Sequence, residues 1–505
     1  MGKTVGIIGA GPGGLAAGLL LQTSGHSVEI FETLPEVGGR NGRIVLGDFR
    51  FDVGPTFFLM PQILRDVFER SKMKLEDYLD LKRIEPMYTL DYGVGGILRA
   101  YSDPERMADS IATFSRHDRD WFFTYRERQR RKFEALLPAL KQPFSKWRTY
   151  LKRENFAALP FLDNGSVYDE LENHFEDERV RLAFTFQAKY LGMSPFDCPS
   201  LFTILPHIEH SEGVWHPRGG CNQVTHGLAR AFRSAGGHIR CGQRVTKVLA
   251  TRGRVRGFTD SAGQERLFDS TIMNADFAYG MSELFTDDER GKYKNARLNR
   301  LKLSCSTFML YLGLRENPAL PHHSIYFAQN YRRNLRELTG TLELSEDPSF
   351  YLHNPVVTDP SVAPAGKSAL YVLVPVPNLG AQIDWVKERE RYRALILGKI
   401  KARTGIDLEP LIEVEKCVTP LDWQNEYSVY KGATFSLSHS FDQLLNFRPH
   451  NASEDFRDLY IVGGGTHPGS GLPTILQSGI IASELISEAQ PKRRARFFAR
   501  TEATL

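Results

Sequence analysis

The first 32 residues limit the fold more than any other part of the chain. Residues 3–9 (Lys-Thr-Val-Gly-Ile-Ile-Gly) read as a short buried strand, and Gly9-x-Gly11-x-x-Gly14 leads straight into an apolar stretch reaching about Gln22. Ser27–Phe31 reads as a second strand, and Glu32 ends it 18 residues after Gly14. Strand, glycine turn, helix and strand make a βαβ unit of about 30 residues. Gly9 permits the tight turn, and Gly11 lets backbone approach a pyrophosphate. Gly14 lets the helix pack on the strand, with Gly13 in the same turn, while the helix N-terminus turns its partial positive charge toward phosphate. Glu32 stands where a carboxylate binds ribose hydroxyls. The expectation is a dinucleotide site.

The same texture returns far along the chain. Strands are expected at 244–249, 254–259, Ser270–Met273 and 458–462, with a final helix over 474–488. One twisted sheet collecting strands from the start, middle and end suits this better than three separate domains. Residues 104–178 read as helical, and 306–312 and 369–374 are the clearest strands of a β-rich, Pro-punctuated section. The fold class is therefore α/β, with a discontinuous Rossmann-like nucleotide domain (1–100, 212–290 and 452–490). A helical membrane-facing insertion serving membrane and substrate access (101–211), a mixed-sheet substrate domain (291–451) and a basic tail (491–505) complete the expected organisation.

A chain of 505 residues with 41% hydrophobic and 25% charged residues is neither disordered, collagen-like nor a coiled coil. Its net charge of +4 gives no case for nucleic acid. Five scattered cysteines without a C-x-x-C pair point to a reducing compartment, with no zinc site or disulfide framework, and no metal is expected. The apolar stretch 5–21 is cut by Gly9, Gly11, Pro12, Gly13 and Gly14, which argues against a signal peptide or a membrane span. Gly6 stands where myristoylation needs Ser or Thr. A cytoplasmic chain is expected.

Two further signals favour FAD over NAD. Gly38-Gly39-Arg40 follows Glu32 and offers a glycine pair with a cation along the pyrophosphate or ribityl. Near the other end, Leu459–Ile461 and Val462 lead into Gly463-Gly464-Gly465-Thr466-His467-Pro468-Gly469-Ser470-Gly471-Leu472-Pro473. This second strand–turn–helix offers backbone donors to the flavin N1/O2 edge, where negative charge builds on reduction. His467 is read as a turn residue. No second G-x-G-x-x-G motif exists, so a nicotinamide domain is not indicated.

With these motifs in place, the chain resembles the bacterial carotenoid desaturases, the phytoene and dehydrosqualene desaturases of the flavin amine oxidase-like superfamily, over nearly its whole length. The carriers are the 5–15 turn, Glu32 with Gly38-Gly39-Arg40, Phe51-Asp52-Val53-Gly54-Pro55-Thr56, Pro217-Arg218-Gly219-Gly220, Asn274-Ala275-Asp276 and the 462–473 run. Tyr190-Leu191-Gly192 and Tyr311-Leu312-Gly313-Leu314 add specificity. The resemblance implies that Gly9, Gly11, Gly13, Gly14, Glu32, Gly39, Arg40, Gly54, Pro55, Thr56, Gly464, Gly465, Thr466 and Pro473 line FAD, and that Val245 meets the adenine through its backbone. His216 departs from the Tyr or Phe usual before Pro-x-Gly-Gly, and Gly464 and the 476–479 run differ from the phytoene type. Chain length of the substrate therefore stays open.

The implied reaction is desaturation of a C30 or C40 polyene by hydride transfer to flavin in an apolar tunnel, with no catalytic side chain assigned. Quinone or oxygen is the expected electron acceptor. A terminal-methyl oxidase or carotene isomerase of the same family shares these motifs, and a prenyl-protein-binding protein like the Rab GDP-dissociation inhibitors shares the fold. Between Ser115 and Arg153, twelve basic residues face four acids and interleave with Trp121, Phe122, Phe123, Phe133 and Trp147. Two readings stand: a helical region lying on an anionic membrane surface, or a solvated basic face over an ordinary core.

Overall fold

A computed structural model describes residues 2–145, 149, 152 and 156–489. Lys146, Trp147, Arg148, Arg153 and the expected basic tail 491–505 lie outside the described residues.

The expected βαβ unit forms, with strands Thr4–Ile8 and Ser27–Phe31 around the helix Pro12–Thr23. They sit inside a five-stranded sheet ordered Leu459–Ile461, Ser270–Met273, Thr4–Ile8, Ser27–Phe31, His238–Arg240, in which every pairing is parallel. Parallel strands are buried on both faces, as the consecutive buried residues Val5, Gly6, Ile7 and Ile8 of the first strand show. One face is covered by the helices Pro12–Thr23, Asn222–Ser234 and Leu472–Glu488.

The opposite face carries a correction. Residues 245–267 do not join the parallel sheet; Val245–Thr251, Arg254–Asp260 and Glu265–Leu267 form their own antiparallel sheet. The reason is local: Arg252 and Gly253, at φ 50 and 70, close a tight hairpin, and strands joined that way are antiparallel. Val248 and Phe258 from this sheet pack on Ile8, Phe31 and Met273 of the parallel one.

A second, seven-stranded mixed sheet runs in the order Ile412–Val418, Ser306–Leu314, Ser368–Val376, Phe350–His353, His323–Tyr326, Tyr88–Asp91, Ile97–Ala100. Its pairings are antiparallel except where His323–Tyr326 meets Tyr88–Asp91. The segment 1–100 thus gives its last two strands to this sheet rather than to the nucleotide-binding one. The helix Trp385–Thr404 covers one face through Tyr392, Ile396 and Ile400.

Over the helical region, Arg116–Lys141 is the longest element, capped by Ser115, whose Oγ accepts from the Asp118 N–H at 3.1 Å. Asp118, Phe122, Tyr125, Gln129, Lys132 and Leu136 recur at three- and four-residue steps and are all buried. Its apolar stripe therefore faces protein, in one core with Phe175, Phe184 and Ile208. Lys132, counted above among the basic face, is fully buried against Glu170, with 2.5 Å between Nζ and Oε2. Arg130 and Arg131 remain exposed, paired with Glu127 and Glu134. Among the described residues, no helix is long and apolar enough to cross a membrane.

Candidate functional site

A cavity of about 480 Å³ lies where the parallel sheet, the mixed sheet and the helical region meet. Two helix N-termini open onto it. Gly9, Gly11 and Pro12 lie at the start of the first helix, and Gly471, Leu472, Pro473, Thr474 and Ile475 at the start of the last. Both ends offer unpaired N–H groups and positive partial charge to one ligand.

Most residues expected to bind cofactor share this wall: Gly9, Gly11, Glu32, Gly39, Arg40, Gly54, Pro55, Thr56, Val245, Gly464 and Pro473. Glu32 is buried, its Oε2 accepting from Ala10 N–H at 2.7 Å and its Oε1 from Leu34 N–H at 2.9 Å. Burial pushes its carboxyl up, and those N–H donors oppose the shift. Arg40 donates to the Thr434 carbonyl at 3.0 Å and lies 3.5 Å from Asp276. Thr56 Oγ1 is 2.8 Å from the Tyr351 hydroxyl.

Gly13, Gly14, Gly465 and Thr466 are not in the cavity wall. Gly14 and Gly13 work in packing. A Cβ on Gly14 would stand 2.6 Å from the Gly9 carbonyl, and one on Gly13 3.1 Å from the Ile475 carbonyl. Gly465 backs onto Phe277, and Thr466 is buried with its Oγ donating to the Pro449 carbonyl. His467 packs outward from the turn, with Nε2 3.1 Å from the Ala139 carbonyl.

The wall fits FAD on two observations. A Cβ on Gly39 would meet nothing within 4 Å, so the space beside that glycine is cavity. Thr434 Oγ1, also in the wall, is buried with no partner among the described residues. Beyond the glycine-lined end the walls turn apolar and aromatic, with Phe186, Tyr190, Leu191, Phe202, Ile204, Leu205 and Ile208 from the helical region facing Ile325, Phe350 and Leu373 of the mixed sheet. Lys189 is the cation on that side, pushed down to about 8 by burial.

Three residues carry the site without a sequence signal. Arg448 is fully buried and donates to the carbonyls of Leu437, Ser438, Gln443, Gly464 and Thr466. No carboxylate pairs with it among the described residues, and burial pushes it down to about 9. It fixes the 463–466 turn from behind. His439 Nε2 accepts from the Ser470 N–H at 3.0 Å, and burial holds the ring neutral. Glu209, behind Tyr190, accepts from Tyr88 and Gln187 and is pushed up to about 7 by burial.

Residues 12–487 match the family model described as flavin containing amine oxidoreductase. The chain is 44% identical to a 4,4'-diapophytoene desaturase (4,4'-diapolycopene-forming) of Methylomonas sp, covering 98% of this chain and 96% of that protein. It is 33% identical to a phytoene desaturase (lycopene-forming) of Pseudescherichia vulneris, covering 97% and 99%. Among solved structures, an oxidoreductase from Methanosarcina mazei shares the fold at TM-score 0.64 and 19% identity, over 95% of this chain and 100% of that one.

Proposed function

Because the chain belongs to the flavin-containing amine oxidoreductases and, within them, to the carotenoid desaturases, we propose that it introduces double bonds into a colourless C30 or C40 polyene, the C30 compound 4,4'-diapophytoene (dehydrosqualene) being favoured by the 44% identity over nearly the whole chain. It is a FAD-dependent oxidoreductase. The observation that carries the substrate reading is a single cavity that joins two helix N-termini to a long apolar, aromatic wall.

When bound, FAD supplies the two-electron oxidation. The chain supplies position and dryness. Glu32, Arg40 and the 54–56 turn would hold the cofactor along its length. Pro473 and its neighbours would set a helix N-terminus against the cofactor, where its partial positive charge favours negative charge. Arg448 keeps the 463–466 backbone fixed while this happens. The aromatic wall holds an extended polyene against that end and excludes water. In this reading the parallel sheet serves the cofactor, and the mixed sheet with its helical cap serves the substrate. Because the sequence has no second dinucleotide motif, quinone or oxygen takes the electrons. A reduced holoenzyme that stays reduced in air with added quinone would overturn that part.

Co-expression with a dehydrosqualene producer should give coloured, longer-conjugated pigment, and with a phytoene producer less of it. Colourless precursor in both hosts would move the reading to a later oxidation or isomerisation of an already conjugated carotene.

Membrane contact belongs to the same reading. Phe156, Leu159 and Leu162 are exposed apolar side chains in one short segment beside the basic stretch 141–153. Replacing Leu159 and Leu162 with Ser should shift the protein from anionic liposomes to the supernatant. Unchanged sedimentation would leave the basic helix as a solvated face only.

A further inference from the structure

Three histidines from separate parts of the chain meet behind the cavity wall. His216 lies in the strand Val214–Pro217, His322 just precedes the strand His323–Tyr326, and His353 ends the strand Phe350–His353. All three are buried, and each offers a nitrogen within 4.8 Å of those offered by the other two. His322 Nε2 and His353 Nε2 are 3.2 Å apart. Two imidazole ligands on one tetrahedral zinc stand about 3.4 Å apart, given Zn–N bonds of about 2.05 Å.

The outward nitrogens are already held. His216 Nε2 lies 3.1 Å from Asp359 Oδ2, and His322 Nδ1 lies 2.7 Å from Thr358 Oγ1. Such outer contacts fix the ring and tautomer of a metal-ligating histidine. Asp359 is committed to this duty, since its carboxylate also accepts from the Gly219 and Ser361 N–H groups. What remains of His216, its Nδ1, is buried with no partner among the described residues. A metal ion takes the neutral imidazole, the form with a lone pair to give. His323 is engaged elsewhere: its Nδ1 lies 2.6 Å from the hydroxyl of Tyr351, which lines the cavity.

We propose that His216, His322 and His353 form a binding site for one divalent transition-metal ion of the zinc class, separate from the cofactor cavity. Three imidazole nitrogens select such an ion over magnesium or calcium, which prefer oxygen. A small neighbouring cavity has Asp52, Gly219, Gly220 and His353 in its walls. The ion ties the strand Val214–Pro217, which pairs with Leu81–Ile84, to two places on the mixed sheet. Its role is to stiffen the wall that carries Tyr351. The inference does not rest on the desaturase reading.

The test uses the full-length, untagged chain with its flavin, stripped with chelator and titrated with Zn²⁺ by calorimetry, with metal content measured after gel filtration. The expected result is one zinc per chain in the wild type. Asp359→Asn, which leaves the side-chain volume unchanged, should weaken zinc ten- to a hundredfold, and His353→Gln should abolish binding, both at unchanged flavin content. Wild type that retains no zinc, or variants that keep it at wild-type affinity, would overturn the proposal. Should His353→Gln fail to fold, the Asp359→Asn titration decides alone.

Discussion

Two buried cations hold two regions of this molecule, and they do so in opposite ways. Lys132, in the helical region, faces a carboxylate: its ammonium donates to Glu170 Oε2, the Ser200 carbonyl and Thr203 Oγ1. Arg448, under the C-terminal turn, faces five backbone carbonyls and, among the described residues, no carboxylate. An ion pair joins two elements and tolerates replacement by a well-packed apolar pair. A guanidinium fork on carbonyls sets the direction of a loop that has no regular structure to set it. The helical region is thus held by exchangeable packing, and the C-terminal turn by a fixed backbone.

That contrast is open to direct attack. The largest effect is expected from Arg448→Met, which strands five buried carbonyls. Destabilisation should be on the order of 5 kcal/mol, with flavin content falling in parallel, as denaturant unfolding and flavin absorbance would report. If Arg448→Met keeps its flavin, the turn does not depend on the fork. Lys132→Met should come next, at about 4 kcal/mol, because it leaves Glu170 charged and buried. Adding Glu170→Leu should restore most of that loss; no restoration would mean that the pair is more than a joint.

Glu209 completes the comparison as a buried anion site without a cation. Its carboxyl sits at about 7, above the ordinary 4.5, so the native state prefers it protonated. The stability it contributes is fully present below about pH 4.5 and is lost as pH rises through about 7, roughly 3 kcal/mol in all. Relative to Glu209→Gln, the wild type should therefore lose that amount between pH 4.5 and 8 in unfolding measurements. A pH-independent difference would show that the site is solvated.

How far the sequence reached follows the same division. The strands Ser27–Phe31 and Ser270–Met273 are legible to the residue, the first because it lies between the turn at Gly25 and the acid Glu32, the second because it is a short buried run between Asp269 and Asn274. Eleven of the expected cofactor positions share one wall, because turn chemistry is local. Lys132 was not legible: a charge count along the chain cannot see Glu170, 38 residues away. Arg448 sits in no motif, since backbone carbonyls carry no side-chain signature. The antiparallel excursion of 245–267 needed the hairpin at Arg252 and Gly253 to be weighed above the strand pattern. The two strands that residues 1–100 lend to the mixed sheet were hidden by their nearness in sequence to the nucleotide unit.

The order of strands in the parallel sheet has a consequence for how the chain is made. Thr4–Ile8 is made well before its neighbour Ser270–Met273, which follows more than two hundred residues later, and the edge strand Leu459–Ile461 comes later still. During that interval the first βαβ unit has an open, apolar edge and only half a binding site. Such long-range closure is slow and leaves sticky surface in waiting. A chain arrested before residue 459 thus lacks both the edge strand of the parallel sheet and the last helix N-terminus that opens onto the cavity.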